Sequence, residues 1–469
     1  MSYFQDASPE SLGISSEGIR RFLDRMEEKN IELHSFMVVR HGKCAAKGWW
    51  KPYVPTLPHP LYSFGKTLTA TAIGFARQEK ILSLEERLVD LFPELLPKEP
   101  SENLQKVTLW HLLTMSCGHE TEIDMESSDW IREFLQHPFL HEPGTFYKYN
   151  TAGTNMLAAV LKRKTGCDVT EFLKPRLLEP LGITSLTCSK CQGPEAVEMA
   201  GGGMRMTTED MARFIYFVLN RGRWEGRQLL EEEWFDLACT KQIETAGDAE
   251  GHVKEWAYGY GFQCWMCRTP GSFRADGAFG QFGVVLPDKD LFVILTTGTY
   301  QTQDELDGIF EEIVPTLTDS AQEASAAADV LKERTGQLAI KAVPLSEKIH
   351  HVAIIGSNYE RSRHFYVDLL GFTVIRENHR KDKADCYIDL KCGEQELELF
   401  IKPDAPKRPS YPEAQGLRHL AFFVESVEDT VVRLNSLGIV TEPIRTDEFT
   451  GKPMTFFADP DGLPLEIHE

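Results

Sequence analysis

Basic residues are scarce: 50 Lys and Arg stand against 71 Asp and Glu, a formal net charge of -21. Binding a polyanion needs clustered cations, and no such cluster occurs, so nucleic acid and anionic membrane surfaces are not expected partners. Long hydrophobic runs are missing as well. No segment reaches the roughly 18 apolar residues that a membrane-spanning helix needs, and the opening MSYFQDASPESLGISSEG has no basic stretch followed by an apolar one. A cytoplasmic protein without a membrane partner is the expectation. Cysteine is too sparse for a disulfide scaffold, at ten in 469 residues, and a reducing compartment would keep these as thiols. Two Cys-x-x-Cys pairs, Cys188 with Cys191 and Cys264 with Cys267, have a spacing that can clamp zinc. They lie far apart in sequence, and the second sits in a strand-like run, so free thiols are the expected reading.

The chain has 42% hydrophobic and 26% charged residues. That is the composition of folded protein, and the length calls for two or three cores. Residues 35 to 49 read as a hairpin, with a turn at His41-Gly42. From Leu68 to about Leu237 apolar residues recur at three and four, the helical period. Strands are expected again at Tyr258 to Trp265, Phe273 to Leu286 and Leu291 to Thr297, the last two joined by a turn at Pro287 to Asp290. A sheet built from both ends of a segment, with helices inserted between, makes an α+β domain over residues 1–317. Residues 318–347, rich in Ala, Ser and Glu, read as a helix and an extended connector. Residues 348–469 hold an internal repeat. Glu398 follows His351 by 47 residues and Glu466 follows His419 by the same 47. Each unit also carries a helix that ends in Leu-Gly, at Leu370-Gly371 and Leu437-Gly438, so the expectation is two copies of one β-α-β-type module.

Ser63 and Lys66 form a Ser-x-x-Lys motif where the strand-rich start gives way to helix. One helical turn apart, the two side chains share a face. A buried lysine favours its neutral form and can then take the serine proton. By itself the motif is weak, since about one is expected by chance in such a chain. It is accompanied by LYSFGKTLTATAIGFARQEK, TLWHLLTMSCGHE, PGTFYKYNTAGTNMLAAVL, GGGMRMTTEDMARF and ADGAFGQFGVVLPDKDLFVILTTG. In order and spacing these pieces resemble the β-lactamase-related serine hydrolases over roughly residues 8 to 320, in the class C-like branch that includes esterases, D-aminopeptidases and amide hydrolases.

The resemblance implies a β-lactamase/transpeptidase-like antiparallel sheet with an inserted helical region. It makes Ser63 the acylated nucleophile, Lys66 its partner and Tyr149 the tyrosine that shuttles a proton to the leaving group; Tyr147 falls at an apolar packing position. The family's third-position asparagine is replaced by Thr151, which leaves open whether Asn150 or Thr151 steadies Lys66. Where the family has Lys or His before x-Gly, this sequence has Ala275-Asp276-Gly277. If Asp276 faces the site it repels an anionic substrate; otherwise it is a solvated loop acid. Gly277 would let substrate backbone approach, and the N–H groups of Ser63 and Ala278 would form the oxyanion hole. The expected substrate is a neutral or cationic ester or amide. The alternatives are β-lactamase or D,D-peptidase activity, and a penicillin-recognising sensor without turnover.

His351, Glu398, His419 and Glu466 stand in pseudo-twofold register. Two imidazoles and two carboxylates brought to one centre suit a divalent ion such as Zn, Ni, Mn or Fe. Residues 349 to 469, through HHVAIIGSNYERSRHFYVDLLGF, LELF, GLRHLAFFVESVEDTVVRL and FFADPDGLPLEI, also resemble the vicinal oxygen chelate superfamily and glyoxalase I in particular. This implies paired βαβββ modules that use these four ligands; a metal-free small-molecule binding module is the alternative. Glyoxalase-like isomerases form a thioester, which a serine hydrolase can cleave, so a thioester joins the expected substrates.

Overall fold

Alternating strand residues feed two different cores of the N-terminal part. In the computed structural model, which describes residues 3–123, 125, 127–193, 196–245, 255–321, 328, 331, 335, 351–380, 385–393, 395–407, 417–447 and 450–469, seven strands form one sheet. They are β1 (Gln5–Asp6), β2 (Leu33–Arg40), β3 (Lys43–Trp49), β4 (Trp265–Met266), β5 (Phe273–Gly277), β6 (Gln281–Leu286) and β7 (Leu291–Thr297), in the order β1-β3-β2-β7-β6-β5-β4. Met37 and Val39 of β2, with Phe292 and Ile294 of β7, face the core shared with the helical region. Phe36, Val38, Val293 and Leu295 face the opposite core, against α1 (Ser16–Glu28) and the helical segment near residue 305. The period of two thus buries both faces of the central strands.

The helical insertion is built around α2 (Gly65–Gln78), whose residues from Gly65 through Ala76 are all buried. A helix apolar on every side belongs inside a core. Further helices are α3 (Thr151–Thr165), α4 (Thr208–Leu219) and α5 (Thr302–Gly308). Among the described residues no helix is long and apolar enough to cross a membrane, and all ten cysteines are free thiols.

Two strand expectations change. Tyr258 to Trp265 is not a strand: Gly259 (φ 108°) and Gln263 (φ 57°) turn the backbone, and only Trp265–Met266 joins the sheet. Phe273 to Leu286 is not one strand but a hairpin of β5 and β6, paired from Phe273 with Val285 to Gly277 with Gln281. Its three-residue turn holds Phe279 (φ 62°) and Gly280 (φ 82°) in the left-handed region.

The chain divides into two compact units, Met1–Lys341 and Ala342–Glu469. Most of the expected connector 318–347 lies outside the described residues. Within it, Ala328, Leu331 and Thr335 are helical, and Leu331 is buried in the core that packs α1.

The second unit runs β8 (His351–Gly356), α6 (Tyr359–Arg363), β9 (Thr373–Arg380), β10 (Asp385–Cys392), β11 (Gln395–Ile401), then β12 (Leu420–Phe423), α7 (Val427–Ser436), β13 (Arg445–Thr446), β14 (Pro453–Ala458) and β15 (Pro464–His468). The sheets have matching orders, β8-β11-β10-β9 and β12-β15-β14-β13, so the unit is a βαβββ module used twice. α6 continues as a wider helical turn over His364–Leu369, and Gly371 (φ 80°) and Gly438 (φ 79°) follow the two helices, each in the left-handed conformation that glycine adopts without strain. Apolar residues of both modules share one core.

Candidate active site

Ser63 sits in the helical turn Tyr62–Phe64 that leads into α2, directly after Tyr62 at φ 47°. Lys66, the second residue of α2 and one turn after Ser63, is 1% exposed. Its Nζ lies 3.1 Å from Ser63 Oγ and 3.3 Å from Thr151 Oγ1, and it also bonds the Gly201 carbonyl. Three oxygens, Ser63 Oγ, Thr151 Oγ1 and Gly201 O, thus surround the amine; once neutral, it can keep two N–H groups on Gly201 O and Thr151 Oγ1 and turn its lone pair to the Ser63 hydroxyl. Burial pushes the Lys66 amine down to about 7, against an opposing influence from Glu122.

Tyr149 hydrogen-bonds the Ser63 side chain, and burial raises its phenol above the ordinary value, so it remains protonated. Lys66 Nζ is 5.2 Å from its ring centre. Tyr147 packs against Tyr260 and Trp265 and does not line the cavity on Ser63, and its hydroxyl is buried and unpartnered. The open choice between Asn150 and Thr151 resolves by position. Thr151 contacts Lys66, whereas Asn150 Oδ1 accepts the Gly153 N–H at 2.9 Å as the N-cap of α3.

A cavity of about 390 Å³ opens on Ser63, Tyr149, Asp276, Gly277 and Ala278. Trp256, Trp265, Phe279 and Tyr300 give it an aromatic wall. Asp276 is therefore not a solvated loop acid. It lies on β5 and faces the cavity, and its Oδ2 accepts from Arg274 Nε at 2.8 Å, with Arg274 fully buried. Burial raises the Asp276 carboxyl, while Arg274 and a hydrogen bond to Trp256 pull it back. The repulsion expected of Asp276 is thus tempered by a buried counter-charge. Gly277 also has a second reason to be glycine. A Cβ there would stand 2.2 Å from Leu61 O and 3.0 Å from Phe64 N, so its bare backbone lets β5 press on the nucleophile turn.

Several contributors escaped the sequence reading. Gly201 accepts from Lys66, and its own N–H donates to Asn155 Oδ1 at 2.8 Å; the Gly201-Gly202-Gly203 run was the available signal. Glu122 Oε1 accepts the Thr151 N–H at 3.0 Å. The aromatic wall and Arg274 left no pattern along the chain.

In the second unit the parallel pairing of β8 with β11 sets Ala353 opposite Glu398, and His351 Nε2 lies 3.6 Å from Glu398 Oε2. β12 and β15 repeat this, with Ala421 opposite Glu466 and His419 Nε2 3.0 Å from Glu466 Oε2. The donor types suit a divalent ion, but the arrangement within the chain is two separate pairs. Among the described residues no group of three or more His, Cys, Asp or Glu gathers at one centre, so neither pair alone is a stable site.

The Beta-lactamase family model matches residues 19–312, more than half of the chain. The chain belongs to the beta-lactamase family. Residues 348–467 of this family member match the Glyoxalase/Bleomycin resistance protein/Dioxygenase superfamily. Over 126 residues, 27% of the chain, it is 54% identical to YwkD of Bacillus subtilis (strain 168), covering 98% of that protein. Over 151 residues, 26% of the chain, it is 28% identical to the lovastatin esterase of Penicillium rubens, of which it spans only 38%. The solved structure of EstCE1, a hydrolase with promiscuous acyltransferase activity, superposes with a TM-score of 0.51 at 15% identity, covering 63% of this chain and 98% of that one. This last likeness is one of fold. The N-terminal domain thus carries the beta-lactamase family match, with a glyoxalase-like domain fused to it.

Proposed function

We propose that the N-terminal domain cleaves an ester or amide through a covalent Ser63 acyl-enzyme. The carrying observation is the buried Lys66 amine, 3.1 Å from Ser63 Oγ and lowered by burial to about 7. In acylation the Ser63 proton passes to Lys66 as Oγ attacks the substrate carbonyl. The N–H groups of Ser63 and Ala278 receive the negative charge that develops on the carbonyl oxygen. Tyr149, hydrogen-bonded to Ser63, relays a proton to the departing alcohol or amine. Water then repeats the sequence on the acyl-enzyme and frees Ser63.

Beyond Asp276, the described residues that line the cavity are aromatic, small or hydroxyl-bearing, and none of them is a cation. That favours a neutral or cationic substrate with an apolar group over an anionic β-lactam. Chromogenic short-chain esters test the reading. Sustained turnover in the wild type and its loss in Ser63→Ala is the expected outcome; equal rates in both would overturn it, and a single burst without turnover would mark a sensor.

For the C-terminal domain the proposed cofactor is a divalent ion, Zn, Ni, Mn or Fe, with His351, Glu398, His419 and Glu466 as its candidate ligands. No catalytic step is assigned to it, because the pairs are separate within the chain. Each pair supplies only two donors, so metal uptake is expected to need both. Elemental analysis of the wild type, Glu398→Gln and Glu466→Gln should show metal in the first and a loss in each variant.

A further inference from the structure

One turn of α5 beyond the cavity-lining Thr302 stands Glu305, 0% exposed. Neither Oε1 nor Oε2 has a hydrogen-bond partner. Leaving a buried polar group unsatisfied costs about 1–3 kcal/mol, and more for a charge, so an ionised carboxylate in this position would be strongly unfavourable.

The Glu305 carboxyl is pressed against the turn between β5 and β6. A Cβ on Gly280 would lie 2.3 Å from Oε2, 2.5 Å from Oε1 and 2.1 Å from Thr297 Oγ1. The side-chain donors beneath this turn are already committed. Thr297 Oγ1 donates to Phe279 O at 2.6 Å. Gln281 Nε2 donates to Ala278 O, Phe279 O and Thr297 O at 3.1, 3.0 and 2.9 Å. Those three carbonyls also fix which way the Gln281 amide points, because its oxygen could bond none of them.

Among the side chains beneath the turn, what remains is acceptors: the lone pairs of Thr297 Oγ1 and the buried Gln281 Oε1, which has no partner. A carboxylate can use neither. A carboxylic acid carries the one missing proton. We propose that Glu305 is held as a neutral acid that donates into the Thr297 and Gln281 network, and that it acts as a positioning residue fixing the backbone of Ala278 beside Ser63. Burial pushes the Glu305 carboxyl well above its ordinary value; the neighbouring Thr297 hydroxyl opposes this, and the Asp276 and Asp304 carboxylates add to it.

The catalytic half of this inference rests on the hydrolase reading; the protonation half does not. An oxyanion donor acts on the transition state, so a displaced Ala278 amide lowers kcat and leaves KM nearly unchanged. Infrared difference spectroscopy of wild type against Glu305→Gln at neutral pH reads the proton directly. The carbonyl stretch of a protonated carboxylic acid is expected in the wild type and missing in the variant, and its absence from the wild type would overturn the proposal whether or not any ester is hydrolysed. With a turned-over ester, Glu305→Gln, a neutral isostere with a donor, is expected to keep kcat within about threefold. Glu305→Leu should lose roughly tenfold to a hundredfold in kcat with KM steady and near-ultraviolet circular dichroism retained. Wild-type kcat in Glu305→Leu, or a loss in Glu305→Gln as large as in Glu305→Leu, would reject the positioning role. Should Glu305→Leu fail to fold, Thr297→Val removes the acceptor from the same network, and unchanged kcat there would reject the role equally. A wild type inactive on every ester would defeat the hydrolase reading, and the infrared result would still decide the proton.

Discussion

Lys66 works as a base only while its amine is neutral, and burial lowers it from 10.5 to about 7. The sign follows directly. Above about 7 the amine is free to take the Ser63 proton, so kcat/KM is expected to rise with pH up to that point and then level; below it the rate should fall about tenfold per pH unit. An acid limb centred well away from neutrality, measured on a neutral ester, would remove Lys66 as the base. The same shift affects stability. Between pH 7 and 10.5 the unfolded chain binds the proton more readily than the folded one, so the penalty of burying Lys66 is full below about 7 and is relieved as pH rises through that window. Thr151 and Asn150, adjacent in sequence, should separate by assay. Thr151→Val removes a contact of Lys66 and is expected to lower kcat several-fold. Asn150→Ala removes a helix cap and should lower stability by about 1–2 kcal/mol in a denaturation experiment. Adjacent polar residues look alike in sequence, and only the start of α3 decides which one points at Lys66.

The nucleophile turn and β5 are held in register by a missing side chain. Gly277→Ala would force a Cβ to within 2.2 Å of the Leu61 carbonyl, and backbone cannot yield as a flexible side chain can. The variant is expected to lose ester turnover by at least tenfold and to lower the denaturation midpoint; a variant indistinguishable from wild type would show that β5 and the turn tolerate separation. Most elements were legible from periodicity, among them the hairpin of β2 and β3, the helical insertion and both C-terminal modules. The two misread stretches share one cause. Tyr258 to Trp265 and Phe273 to Leu286 are rich in strand-favouring aromatic and branched residues, but Gly259, Gln263, Phe279 and Gly280 take left-handed backbone there. Propensity describes a residue's average preference, and two of these four are not glycine.

The two kinds of site lie in separate units of the chain, and the proposed serine chemistry uses no metal ligand. Chelation followed by dialysis is therefore expected to leave ester turnover unchanged while removing any bound metal; a parallel loss of both would tie the hydrolase to the ion. At this scale, sequence alone determined what is local or periodic: the Ser63 and Lys66 spacing on one helix face, the strand and helix periods, and the repeat that matches His351 and Glu398 to His419 and Glu466. Tertiary structure decided what depends on contacts between distant residues. The Lys66 amine is lowered to about 7 because α2 is buried on every side, and Gly201 and Thr151 meet it there. Asp276 is compensated because Arg274, on the same face of β5, is sealed behind it. The acid at Glu305 reads in sequence as an ordinary first-turn helix residue, and only burial beneath Gly280, with every nearby side-chain donor committed, makes its proton necessary.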